Sequence, residues 1–151
     1  MVPGIVTQVP LLFGALWLAN ALVLSPILLS TAVRRLIRSW PTDGLPSNYL
    51  VATAAFTATH LSGLALTVAF NGGRLAGREI GWLAGVTLVN LVLWWAAVAL
   101  AVPGLGHWHP KADGEYDGRI ALTLELFAYV AATGALAFVV LVVAIAVGFP
   151  G

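Results

Sequence analysis

The sequence predicts an all-α, polytopic integral membrane protein, an up-down bundle of four transmembrane helices. Three observations carry that prediction. Hydrophobic residues make up 60% of the 151-residue chain and charged residues only 9%, with mean hydropathy +0.97, whereas soluble domains carry roughly a quarter charged residues. Apolar runs recur at the length of about twenty residues that a bilayer core about 30 Å thick demands at 1.5 Å per residue. Short segments rich in Pro, Gly, Asp and Asn separate them, which makes each helix antiparallel to the last.

The first span is expected over 9–38, its helix continuing through "RRLIRSW" until Pro41 stops it. "MVPGIVTQVP" lacks the basic start of a signal peptide, so this run is expected to stay as a helix. "WPTDGLPSN" reads as a loop, and a second span follows over 49–70. "NGGRLAGRE" leads to the third, over 80–102, and "PGLGHWHPKADGEYDG" is the longest polar segment before the fourth, over 119–149. One transmembrane domain fills the chain.

Orientation follows from the excess of Lys and Arg in cytoplasmic loops. Arg34, Arg35 and Arg38 lie in the first loop, Lys111 and Arg119 in the third, and only Arg74 and Arg78 in the second. Both termini are therefore expected outside the cell membrane. Trp40, Tyr49, Trp82 and Trp108 fall near the predicted interfaces, where amphipathic rings belong.

Composition also excludes. With no cysteine, disulfides and thiolate metal sites are impossible. The only lysine, Lys111, lies in a polar loop, so no intramembrane lysine exists to hold retinal. A net charge of +1 gives no sign of nucleic acid. The expected partners are the bilayer and other membrane subunits or further copies of the chain.

In "GGRLAGREIGWLAG" the residues Gly73, Gly77, Gly81 and Gly85 recur every four positions. On a helix they form a glycine zipper, a smooth face that another backbone can approach closely. Ala54, Ala58 and Ser62 on the second span offer a matching small face; alternatively, Gly73 and Gly77 are loop residues.

Each span carries an isolated polar residue: Asn20, His60, Asn90 and Glu125. Such groups are costly at membrane depth and face the bundle interior or a wet cavity. Thr53, Thr57, His60 and Thr67 share one helical face, as do Thr87, Asn90 and Trp94, and Glu125, Tyr129 and Thr133. Asn20 and Asn90 read as interhelical hydrogen-bond glue. His60 reads either as an imidazole bonded to Asn90 or a threonine, or as a functional group. Glu125 reads either as a partner for Arg34 or Arg35, or as half of a relay or ligand site with His60.

"HWH" sets His107 and His109 two apart, which in an extended loop aims both rings the same way. Zinc or copper could use the pair, but a third or fourth ligand would be needed. "DGEYDG" opens like a calcium loop, then fails, because Leu124 stands where the twelfth-position glutamate should.

These features lead to three functional expectations. The first is a small non-enzymatic subunit packing within a larger membrane complex or a homo-oligomer. The second is a proton-linked transporter or channel using the His60, Glu125 and Asn90 seam. The third is a redox subunit binding haem or quinone near His60, although His60 is the only histidine within a span and haem usually needs two axial ligands. No cofactor follows from the sequence itself.

Overall fold

A computed structural model describes residues 3–39, 41–72, 79–111 and 116–148. Trp40, Gly73, Arg74, Gly77, Arg78, Asp113 and Glu115 lie outside the described residues. Every described element is helical: α1 (Pro3–Val23), a 3₁₀ segment (Ser25–Leu29), α2 (Thr31–Ser39), α3 (Leu45–Phe70), α4 (Glu79–Ala96) and α5 (Gly118–Gly148). α4 runs on through a π-helical turn, Ala97–Ala101, into a last turn, Val102–Gly104.

Among the described residues three stretches are long and apolar enough to cross a membrane: Leu45–Phe70, Ile80–Gly104 and Gly118–Val139. α1 contributes a shorter apolar stretch, Val9–Val23. The outward faces carry large apolar side chains such as Leu93 and Phe138, as a hydrocarbon solvent favours.

The first predicted helix does not run unbroken from 9 to 38. Pro26 has no N–H for the Leu22 carbonyl and its ring crowds that turn, so α1 stops at Val23. The freed carbonyls are recaptured. Ser25 Oγ donates to Leu22 O at 2.8 Å, and the Tyr49 hydroxyl donates to Ala21 O. The chain then restarts as the amphipathic α2, which turns Ala32 and Val33 inward and leaves Arg35 and Arg38 exposed. A short helix with that pattern suits a membrane interface rather than its core.

Proline disturbs α4 by the same chemistry. Pro103 offers no N–H to Ala99 O, and the wide turn Ala97–Ala101 relieves the crowding ahead of its ring. Arg119, at the start of α5, replaces the missing donor: its Nε bonds Ala99 O at 3.0 Å.

α3 packs on α1, α2 and α4, while α5 packs on α4, α2 and the 3₁₀ segment. Two apolar clusters hold the bundle. Ala32, Val33, Ala99, Trp108 and Leu122 form one, and Phe56, Leu91 and Tyr129 form the other. In the first, Gly118 lets α5 start against its neighbours, since a Cβ there would lie 2.6 Å from Trp108 and 3.0 Å from Ala32.

α3 and α4 do not meet through the expected small faces. Gly81 and Gly85 face open space, and Ala58 and Ser62 are exposed, while Ala54 is half-buried. The close approach is at Gly63, whose Cβ position lies 2.9 Å from Val86 Cγ1. Phe56, His60, Thr87 and Trp94 contribute to the contact, because buried aromatic area and paired polar groups hold helices where glycine offers neither.

Candidate functional site

The polar residues of the spans fall into three groups. The first joins α1, α3 and α5 around Asn20. Asn20 Nδ2 donates to Thr57 Oγ1 at 2.9 Å, and Asn20 Oδ1 accepts from the Tyr129 hydroxyl at 2.7 Å. Thr57 in turn donates to Thr53 O at 2.9 Å, and Trp17 Nε1 reaches Thr53 Oγ1 at 3.0 Å. Asn20, Thr57 and Tyr129 are all buried. Each side chain here has a partner, so the group works as glue.

The second group joins α3 to α4. His60 Nε2 pairs with Thr87 Oγ1 at 2.9 Å, one turn from Asn90. Asn90 Nδ2 instead donates to Phe56 O at 3.4 Å, and Trp94 Nε1 donates to Thr59 Oγ1 at 2.9 Å. Phe56 sits between the groups, with ring centroids 6.2 Å from His60, 6.2 Å from Trp94 and 5.6 Å from Tyr129. The single polar stripe expected on α3 therefore divides: Thr53 and Thr57 turn to α1, while His60 turns to α4.

The third group differs in being incomplete. A cavity of about 390 Å³ lies among α2, α3, α4, α5 and the 3₁₀ segment. Its wall is apolar or aromatic apart from Asn48, Tyr49, Thr53 and Glu125. That volume falls within the range of about 300–1,000 Å³ typical of small-molecule sites. Val51 and Ala55 belong both to the wall and to the exposed surface, so the cavity communicates with the outside of the bundle.

Of the polar wall groups, Thr53 donates to Tyr49 O at 3.0 Å, and the Tyr49 hydroxyl is taken by Ala21 O. Asn48 is saturated: Nδ2 donates to Ile37 O at 2.7 Å and to Thr42 O, and Oδ1 accepts from Thr42 N at 2.9 Å. It thereby ties the end of α2 to the start of α3. Glu125 is the exception. It is only 6% exposed, and its Oε1 is buried with no hydrogen-bond partner. The expected pairing with Arg34 or Arg35 does not engage that oxygen. Glu125 and His60 also belong to different groups, since His60 is absent from the cavity wall.

A buried carboxyl with an unused oxygen is costly, because it has given up water without gaining a replacement. In a cavity that opens to the outside of the bundle, that oxygen is, among the described residues, the buried side-chain polar atom left without a partner and so an anchor for a ligand.

His107 and His109 are exposed on either side of buried Trp108, whose Nε1 donates to Ala32 O at 3.2 Å. The tryptophan anchors this loop. Among the described residues no group of three or more His, Asp or Glu side chains could hold a metal ion.

Sequence reasoning missed Asn48 and Tyr49 as architectural residues. "PSNYL" did carry a signal, an amide placed in the first turn of a helix after a Pro-containing loop. No family model, curated protein or solved structure matches this chain.

Proposed function

We propose that the chain is a four-span integral membrane protein, α1 included, that works without catalysis by holding a lipophilic small molecule beside Glu125. One observation carries this reading: an apolar cavity, open to the outside of the bundle, whose wall contains a buried carboxyl oxygen with no partner. A single acid with no second acid or base in the wall suits binding better than chemistry. In this reading α2 rests on the cytoplasmic surface. Arg34, Arg35, Arg38 and Arg119 gather at the end where α2 packs on α5, as the positive-inside rule favours.

A quinone belongs to the broad ligand class. Haem fits less well, because no histidine, methionine or cysteine is among the described residues that line the cavity. Proton-linked transport through a joint His60 and Glu125 pathway loses support, since the two residues occupy separate groups.

Native mass spectrometry after gentle extraction tests the reading. The wild type should retain a small hydrophobic molecule, and Ala52→Phe, which fills the wall, should release it. Equal retention by the two proteins would refute it.

A second reading, assembly with another membrane subunit or a second copy, is favoured by the open space over Gly81 and Gly85. In this cysteine-free chain, a thiol-reactive photocrosslinker attached at Gly85→Cys should then join the chain to its neighbour in membranes. Absence of any cross-linked product would reject it.

A further inference from the structure

Resting on the reading that the cavity holds a lipophilic ligand, we propose that this ligand is a lipophilic organic cation, bound with its charge against the Glu125 carboxyl and the surrounding aromatic rings.

Charge complementarity points this way. Among the described wall residues Glu125 is the only one that carries a formal charge when ionised at neutral pH, and that wall includes no Lys, Arg or His. The basic residues of this end of the molecule, Arg34, Arg35, Arg38 and Arg119, are all absent from the wall. Arg119 directs its Nε to Ala99 O instead. An anion would meet only repulsion and unmatched apolar surface. A neutral hydrocarbon would leave the buried oxygen as it is, unpartnered. A neutral donor would give that oxygen a hydrogen bond, and a cation gives the ionised carboxylate an opposite charge in surroundings where the attraction is weakly screened.

The rings add a second argument. Tyr49, Phe56, Trp94 and Trp95 all contribute to the wall. Aromatic faces attract organic cations, tryptophan most strongly, and the attraction grows where water is excluded. The remaining wall, including Leu24, Ile27, Val98 and Leu126, would take the hydrocarbon part of the same ligand. Anchor, rings and apolar wall therefore match the two halves of one amphiphile: a delocalised or substituted charge and a greasy body.

The experiment compares two ions of one shape and opposite charge. Tetraphenylphosphonium and tetraphenylborate are titrated against the full-length protein in nanodiscs of neutral lipid, with empty nanodiscs subtracted. Wild type should bind the phosphonium saturably and at least tenfold more tightly than the borate. Glu125→Gln should lose at least tenfold in phosphonium affinity, while Glu125→Asp, which keeps the charge, should retain more of it than Glu125→Gln does. The aspartate variant keeps the test decisive should the glutamine variant fail to fold. A charge preference below tenfold, or phosphonium binding unaffected by Glu125→Gln, overturns the cation assignment. If both ions then bind equally and Ala52→Phe abolishes both, the cavity reading survives without it. If neither ion binds and no molecule copurifies, both readings fall.

Discussion

Replacing Glu125 by methionine should stabilise the protein, which is unusual for a buried position. Glu125 is 6% exposed, and its Oε1 has no hydrogen-bond partner. Leaving such a group buried and unsatisfied costs about 1–3 kcal/mol. Methionine has a similar length and volume, so it removes the unmet polarity without opening a void or forcing neighbours apart. Buried Leu122 lies one turn away on the same helix and shares the cavity wall, so the new thioether meets apolar company. Glu125→Met is therefore expected to gain about 1–3 kcal/mol over the ligand-free wild type in reversible unfolding in bicelles. The same variant should lose the retained ligand, because the polar anchor is gone. A loss of stability of about 1 kcal/mol or more would refute the reasoning, since it would mean that the carboxyl already has a stabilising partner.

Three further outcomes follow from the hydrogen bonds. Tyr129→Phe removes the 2.7 Å bond to Asn20 and should cost about 0.6 kcal/mol, at most about 2, with non-additive coupling to Asn20→Leu in a double-mutant unfolding cycle. His60→Leu should leave helicity and unfolding nearly unchanged, because the one hydrogen bond to Thr87 is lost while leucine still packs against Phe56, whereas His60→Lys should cut the folded yield sharply by adding an unpaired charge within the span. Arg119→Met should strand the Ala99 carbonyl and cost about 1 kcal/mol, and Pro103→Ala in the same chain should restore most of that by supplying a backbone donor to the same oxygen; a full, uncorrected loss in the double variant would show that Arg119 acts elsewhere.

The lengths of α3, α4 and α5 were legible because hydrophobic runs of bilayer length dominate the pattern over 49–70, 80–102 and 119–149. The first helix was less so. Pro26 lies inside an apolar run, and hydropathy alone does not reveal that a proline has broken a helix and that Ser25 and Tyr49 have recaptured its carbonyls. The helix faces bearing His60, Asn90 and Tyr129 were legible as interior from their polarity, but their partners were not. Partner choice depends on helix rotation and depth, which set His60 against Thr87 and Asn90 against the Phe56 carbonyl. The glycines misled for a related reason: spacing identifies a smooth face without saying whether a helix lies against it, and Gly81 and Gly85 face open space. Glu125 was visible as an anomaly. Its cavity was not, because the wall is assembled from four helices and the 3₁₀ segment, with contributions as far apart as Leu24 and Leu126.

Photolabelling tests the central claim, that a lipophilic ligand enters the cavity beside Glu125, most directly. A small hydrophobic diazirine is activated with the protein in nanodiscs, and the labelled residues are read by peptide mass spectrometry. The account predicts saturable labelling at Ala52, Leu122 and Glu125, which line the cavity while Leu122 and Glu125 are otherwise buried. Labelling confined to outward residues such as Leu83, Leu93 and Phe138, rising without saturation, would contradict it.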